Sequence, residues 1–450
     1  MVRRFGYASF ALFAALSVAG TARAQTPPAA DAPPEAPPPA AEAPVAAPPV
    51  AVPVLETPPP PPVNPAPVPA PVPAAFSPLK IESNGNSLRI GLLLQPTYRA
   101  ANGAGDLSGY SQNLFLRRTR ILLGGSLFGK FDYFAETDYP NLFLATPEAA
   151  NATNMTDATN NKAGPGMYIQ DAFITAKPIE GEFKDAFKID AGFMLPAMGH
   201  NALQGATTLY SLDYFSNSFL HSNAFGGTAP VGRDLGVQAR GLLVDGHVEY
   251  RAGLYQGRRL PETDTQVNSH NFFRANGRVQ INLLDAETGF FYGGTYLGAK
   301  KIVSLGGSID YQHSYMYLNG DLFVDYPIGP GVLTAQVNYA HWNTGDGFIS
   351  LGNVAGTSGT NAVAIDKEWA VMGEAGYNIF TMINPLVRVE HLAETGTTGA
   401  TASVNRYGGG INWWTYGHNV NLKSLYTYVK VDGANKGFNQ IDLQWQLYFY

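Results

Sequence analysis

The chain has 450 residues, of which 45% are hydrophobic, 12% aromatic and 14% charged, with 49 glycines, no cysteine and a formal net charge of −6. The charged fraction lies well below the about 25% of ordinary globular chains, while the mean hydropathy is an average −0.08. These values exclude a disulfide scaffold or cysteine-based zinc site and a basic nucleic-acid surface, and the lack of any internal run of about 18 apolar residues excludes a helical membrane protein.

Residues 1–24 read as a secretory leader. Arg3 and Arg4 supply the charged start, Phe5 to Gly20 the apolar stretch, and Ala22-Arg23-Ala24 a small-x-small cleavage site before Gln25. No cysteine follows that site, so lipid anchoring through one is excluded. Residues 25–80 form a Pro/Ala-rich linker that lacks backbone donors and apolar bulk and is expected to be disordered, sampling extended polyproline II. Its ~50 residues at about 3.1 Å each would reach on the order of 150 Å. A passive spacer and a periplasmic tether toward the cell wall are both open readings.

From Ile81 onward the pattern has period two, and residues 81–450 are expected to form one barrel domain. The clearest segment is Gln440 to Tyr450, where Ile441, Leu443, Trp445 and Leu447 alternate with Gln440, Asp442, Gln444 and Gln446. One face of such a strand meets lipid and the other water. The same dyad runs through Phe273 to Leu283 and Leu333 to Tyr339. Sixteen strands are predicted, at 88–98, 113–125, 127–138, 168–177, 187–195, 233–243, 247–256 and 271–283, then 301–312, 315–326, 332–343, 367–378, 385–395, 403–415, 419–431 and 438–450. Gly289 to Leu297 would make an odd total, and single-chain bacterial barrels are even-numbered, so this stretch is read as a periplasmic connection. Short turns (Leu127 to Lys130, Asp245-Gly246, Pro327 to Gly331, Tyr416 to Asn419) alternate with long loops at 139–167, 196–232 and 344–366. The expected fold is therefore all-β, a sixteen-stranded antiparallel transmembrane barrel with a disordered N-terminal extension. Closure follows from solvent physics, because an open edge in hydrocarbon leaves N–H and C=O groups unpaired. A barrel of this size is expected to hold water. Tyr98, Tyr250, Tyr339, Trp342, Trp413 and Trp445 lie near strand ends and suit interfacial girdles.

Parity also assigns the lumen. Arg118, Arg120, Glu136, Arg240, Arg251, Arg274, Arg278, Arg388 and Arg406 face inward by this reading, with Glu249, Glu374, Glu390 and Asp310. An arginine on the lipid face would cost about 2–4 kcal/mol at the midplane. The turn near Leu127 sets Arg118 level with Glu136, which predicts a cross-strand ion pair. Either the arginines form a positive stripe that concentrates anions, densest from Arg240 through Arg278, or they are paired with acids and stiffen the wall. The loop 196–232 is the candidate constriction, with His200, Tyr210, Asp213, Tyr214 and His221 as its marked residues. Its aromatics, Phe215 and Phe219 among them, serve either as packing anchors or as a sliding surface for sugars.

The run Leu116-Arg117-Arg118-Thr119-Arg120 through Gly125, continuing into Leu127-Phe128-Gly129-Lys130-Phe131-Asp132-Tyr133, resembles the phosphate-selective porin O and P family. So do Tyr168 to Phe173, Ile189 to Pro196, Tyr296 to Tyr311 and Asp321 to Tyr339, the match spanning nearly all of 85–450. The resemblance implies an anion-preferring outer-membrane channel, usually trimeric, with basic residues at its constriction. Here 196–232 contains no Lys or Arg, only His200 and His221. The reading is thus a channel for passive diffusion of small hydrophilic solutes, with anion and possible phosphate preference. A general or sugar-preferring porin, and a structural barrel tied to the cell wall without an open channel, are the alternatives. The eight histidines show no His-x-x-x-His pair, and no G-x-S-x-G elbow occurs, so no enzyme, catalytic residue, metal or cofactor is expected. The expected partners are outer-membrane lipid, the diffusing solute and two further copies of the chain.

Overall fold

The structure, a computed structural model, describes residues 79–102, 110–144, 166–215, 232–259, 272–355, 357, 359–432 and 437–450. The predicted leader, nearly all of the linker, His221 and Phe219 lie outside the described residues. Seventeen strands form one sheet. They are β1 (Leu79–Ser83), β2 (Asn86–Ala101), β3 (Ser111–Leu127), β4 (Phe131–Asp138), β5 (Tyr168–Ala176), β6 (Lys188–Met194), β7 (Asp234–Leu243), β8 (Val248–Tyr255) and β9 (Arg274–Asn282). Then come β10 (Ile302–Gln312), β11 (Tyr315–Ile328), β12 (Gly331–Asn343), β13 (Ile365–Ile379), β14 (Ile383–Gly396), β15 (Thr401–Tyr416), β16 (Val420–Val431) and β17 (Phe438–Phe449).

Each strand from β2 to β17 pairs antiparallel with its neighbour in sequence, and β17 pairs back onto β2 from Gln440↔Ala101 to Phe449↔Leu92. The ring is closed at sixteen strands. No helix among the described residues is long and apolar enough to cross a membrane; the crossing is made by strands. The additional strand, β1, forms a hairpin with the first residues of β2, from Leu79↔Ile90 to Ser83↔Asn86. All five of its residues are exposed, so no buried face marks it as a strand, and the sixteen strands expected within 81–450 begin at residue 88.

The alternation is the one that a transmembrane barrel requires. On β17, Ile441, Leu443, Trp445 and Leu447 are 39–64% exposed, whereas Gln440, Asp442, Gln444 and Gln446 are at most 5% exposed. Outside is apolar and inside is polar, the arrangement in which lipid meets hydrocarbon and every backbone group is paired. Trp445, Trp413 and Tyr339 are exposed outward, but Trp342 is 1% exposed and packs inside against Tyr317, ring centroids 4.2 Å apart. It is a lumen residue, because it shares the inward parity of Ala340 and Asn338 on β12.

Turn chemistry sets the register. Asp245 and Gly246, joining β7 to β8, both have positive φ (53° and 89°), the backbone that Asp-Gly hairpins favour. The β3–β4 turn is centred on Phe128-Gly129, with Leu127 opposite Phe131. That centre sits further along the chain than expected. Glu136 consequently faces Leu122, and its ion partner is Arg120 rather than Arg118.

The end of the barrel where β2 begins and β17 finishes carries short turns, except for the β5–β6 connection, 177–187, and the β9–β10 connection, 283–301. The stretch Gly289 to Leu297 joins two strands, as expected of a connection, but it folds into the barrel, and Phe290, Tyr292, Thr295 and Leu297 are buried. At the other end, the β6–β7 loop also turns inward, and residues of the β12–β13 loop (Phe348, Ile349, Leu351) join it in an apolar cluster with Met198, Tyr315 and Trp342. The lumen expected to hold water and to be narrowed by the loop 196–232 is thus filled further by the β9–β10 and β12–β13 connections. Sixteen strands leave more room than wall side chains fill, and three connections bring their own side chains into it.

Candidate functional site

The inward part of the β6–β7 loop, residues 195–215, lies as a belt along the inner wall. Its backbone N–H and C=O groups leave water and need partners. The wall supplies them. Asn276 Oδ1 on β9 accepts from Ala197 N at 2.9 Å, and Asp321 on β11 accepts from His200 N at 3.1 Å. Further along, Asn412 Nδ2 on β15 donates to Tyr210 O at 2.6 Å, Lys423 Nζ on β16 donates to Leu209 O and Ser211 O, and Gln446 Nε2 on β17 donates to Thr207 O at 2.8 Å. Arg388 on β14 closes the set, donating to Ser211 Oγ, Asp213 O and Tyr214 O at 2.6–2.7 Å. Much of the polar inward face thus holds the belt rather than facing open water.

The belt ends at Asp213. Its Oδ2 accepts from Arg117 Nη2 (2.6 Å) and Nε (2.9 Å), and its Oδ1 accepts from Arg118 Nη2 (2.7 Å) and from Tyr214 N (2.9 Å). Burial alone would raise the Asp213 carboxyl, but Arg117, Arg118 and the Tyr214 N–H outweigh it and hold the group below the usual carboxylate range. Both arginines reach Asp213 because of a bulge. Pro96 has no N–H for the ladder, and the register slips between Leu94↔Thr119 and Pro96↔Leu116, so Arg117 and Arg118 together oppose Gln95. Strict parity sends Arg117 to the lipid; the bulge turns it inward, where it is 2% exposed.

The β9–β10 connection docks on this belt. Gly205 N donates to Tyr292 O and Tyr292 N to Leu203 O, each at 2.9 Å, giving a parallel bridge at Gln204↔Tyr292. His200 stacks between Tyr292 and Phe323 (centroids 4.8 and 4.1 Å), with its Nε2 2.8 Å from Glu287 Oε2. Burial raises the Glu287 carboxyl, yet His200, Tyr296 and Gln280 together hold it below its ordinary value.

Two cavities flank the belt. The smaller, about 60 Å³, is faced by Arg99, Arg388 and Arg406 together with Asp213, Glu390 and Asp442. The larger, about 460 Å³, lies toward the short-turn end, between the belt, the β9–β10 connection, His418 of the β15–β16 turn and the end of β17. Tyr214 lines both. Its hydroxyl donates to Gln204 O at 2.8 Å, and its ring lies 5.6 Å from the Arg118 guanidinium. Tyr214 is the partition between the two spaces.

The marked arginines are all buried and all paired. Arg120 bridges Glu136 and Asp138 (2.9 and 3.1 Å), and Arg388 meets Glu390 and Glu374 (2.5 and 3.3 Å). Arg406 meets Glu390 at 2.9 Å but leaves Nε and Nη2 without a partner. In the patch expected to be densest, Arg240 pairs with Asp190 (2.7 Å), Arg251 with Glu249 (2.8 Å), Arg274 with Asp310 (2.9 Å) and Arg278 with Asp321 (2.7 Å). None of these four lines either cavity: the β9–β10 connection lies against three of them, with Phe290 5.6 Å from the Arg240 guanidinium and Tyr292 against those of Arg251 and Arg278 (4.7 and 5.7 Å), and Met198 of the β6–β7 loop contacts Arg274. Among the described residues, eleven basic and fifteen acidic side chains are buried, which leaves no general positive stripe. Tyr210 is an anchor, its hydroxyl donating to Asn384 Oδ1 at 2.7 Å.

Sequence reasoning missed Arg99, Arg117, Lys423 and Glu287. Parity alone places Lys423 inward beside Asn421 on β16, and Arg99 faces Asp442 across the β2–β17 seam. For Arg117 the signal is Pro96. Glu287 lies in a connection without period, and nothing local marks it. No group of acidic and histidine side chains suited to a metal occurs among the described residues.

No family model and no curated protein matches the chain. Among solved structures, it is similar to the outer membrane channel DcaP of Acinetobacter baumannii, at TM-score 0.50 and 12% identity over 84% of this chain and 100% of that one. The barrel has the fold of an outer-membrane porin. Salmonella typhi OmpF, solved in complex with daunomycin, aligns at TM-score 0.49 and 12% identity over 82% of this chain and 100% of that one. The anion-selective porin from Comamonas acidovorans aligns at 0.44 and 11% over 81% and 100%. At these identities the likeness is one of fold, and the solute must be argued from the lumen itself.

Proposed function

We propose that the chain is an outer-membrane porin through which small hydrophilic solutes diffuse passively. One observation carries this reading: a closed barrel, apolar outside and polar inside, is crossed by a belt with a water-accessible cavity on either side of it. Hydrophilic solutes pass such a section by exchanging water for the polar wall, and the narrow gap at Tyr214 and Asp213 sets the size limit. The anion preference belongs to the smaller cavity, which Arg99, Arg388 and Arg406 line. It is modest, because Glu390, Asp442 and Asp213 line the same space. A dedicated phosphate site in the manner of the porin O and P family gains little support, since the inward belt has no Lys or Arg and Lys423 is occupied by belt carbonyls.

The reading includes an orientation, supported by the loop lengths, in which the short-turn end, with both chain ends of the barrel, faces the periplasm and the long loops face outward. Export through a cleaved leader at 1–24, a periplasmic linker over 25–80 and assembly as a homotrimer complete the proposal. The test is reversal potential in a salt gradient across a planar bilayer. A small shift toward the anion potential supports the reading, and a cation-selective channel removes the anion preference while leaving the porin standing. A barrel that inserts and carries no current favours the structural, cell-wall-tied alternative.

A further inference from the structure

The larger cavity has a lining of its own kind. Phe134, Phe291 and Tyr450 form one wall, Phe134 meeting each of the others edge to face at centroid distances of 5.8 and 5.9 Å. Tyr214, Tyr296 and Tyr448 add further rings. A volume of about 460 Å³ lies within the ~300–1,000 Å³ of small-molecule sites.

Its charges are closed on themselves. Arg120 is held by Glu136 and Asp138, and Arg233 meets Asp171 through two contacts of 3.1 and 3.3 Å. These three carboxylates outnumber the two guanidiniums, so an anion entering finds no net positive field. Hydrogen-bonding capacity remains open all the same. His418 Nε2 faces the Thr295 carbonyl at 3.0 Å and must carry its proton there, which leaves Nδ1 as a lone-pair acceptor, and that atom is buried without a partner. Arg120 Nε–H is a buried donor without an acceptor. Both residues line the cavity. A buried polar atom left unmatched is destabilising, and a ligand with hydroxyl groups matches a donor and an acceptor alike.

We propose that this cavity is a subsite for a neutral polyhydroxylated solute, a pyranose unit of a small saccharide. The weakly positive C–H edges of a pyranose lie on the electron-rich faces of aromatic rings, and its hydroxyls pair with His418 Nδ1 and Arg120 Nε once these lining side chains, whose unmatched atoms are buried in the ligand-free cavity, turn toward it. Access of the solute rests on the porin reading above; the site itself does not.

The experiment has two readouts on the purified full-length protein. Maltose, sucrose and chitobiose are added to a planar bilayer holding single channels, and each is also titrated calorimetrically into the detergent-solubilised barrel, which reads binding whether or not the barrel conducts. The expected result is reversible, concentration-dependent current block by at least one saccharide, with a matching heat of binding. Tyr448→Ala should weaken both by about tenfold, with Tyr448→Phe close to wild type, and circular dichroism and heat-modifiable mobility report folding of each variant. Current without block or heat from all three saccharides overturns the subsite and leaves the porin reading intact. Heat without current keeps the subsite and overturns the porin reading. Stronger block by succinate or benzoate than by any saccharide overturns the assignment of a neutral ligand.

Discussion

Replacing Asp213 by asparagine tests the belt and the pore together. The native carboxylate accepts two hydrogen bonds from Arg117, one from Arg118 and one from Tyr214 N, and it is ionised throughout the physiological range because the two guanidiniums hold it low. Asparagine keeps the shape and one acceptor oxygen but removes the charge. Two guanidiniums that are 1–2% exposed then lose the carboxylate that both of them contact, a change that costs about 3–5 kcal/mol in a dry interior. The Asp213 side chain is 19% exposed and lines the smaller cavity, so water screens part of this, and about 3 kcal/mol, the lower end, is expected. The unfolding midpoint in urea should fall accordingly. Electrically, one negative charge leaves the narrowest part of the path, so the reversal potential in a potassium chloride gradient should move toward the anion potential. An unchanged midpoint and an unchanged reversal potential in a barrel that still conducts would refute both the tie to the arginines and the placement of Asp213 on the path.

Three further changes are specific. Asn384→Leu leaves the Tyr210 hydroxyl, now donating to Asn384 Oδ1 at 2.7 Å, without its acceptor, and should cost about 1–3 kcal/mol in the same urea assay with the reversal potential unmoved. Leu443→Arg, on the outward face, should lower folding stability in lipid vesicles by up to about 2–4 kcal/mol, whereas Gln444→Arg, one residue along and inward, should cost much less; equal costs would contradict the inside–outside assignment. His418, in the β15–β16 turn, has its pKa pushed down to about 4 by burial and by Lys423. The unfolded chain takes up a proton near pH 6.5 that the folded turn refuses, so stability should be fully present above pH 6.5 and decline as pH falls toward 4. Each pH unit in that window weighs about 1.4 kcal/mol, and His418→Gln should flatten the decline.

The wall was legible in the residues because hydrocarbon on one side and water on the other impose period two on every strand, as Ile441 to Leu447 shows. Sixteen strands, their order and the inward arginines follow from that single constraint. What was not legible has physical causes. The Arg117–Arg118 pair needs the bulge opposite Pro96, a tertiary consequence of one missing N–H. The ion partners Asp310 and Asp190 come from the adjacent strand and Asp321 from the second strand along, so they depend on register, which the turns set to the residue. Trp342 looked interfacial by its position and was drawn inward by parity. The inward fold of 283–301 had no periodic signature at all; it is fixed by contacts between two connections, His200 with Glu287 and Leu203 to Gly205 with Tyr292, and such contacts leave no local pattern.

The most direct test of the whole account is the current carried by single molecules of the purified protein in a planar bilayer. A water path past Tyr214 and Asp213 predicts discrete, steady steps whose size rises with potassium chloride concentration. Insertion with no steps at any concentration would mean that the belt and the β9–β10 connection seal the barrel, and the channel would have to be abandoned.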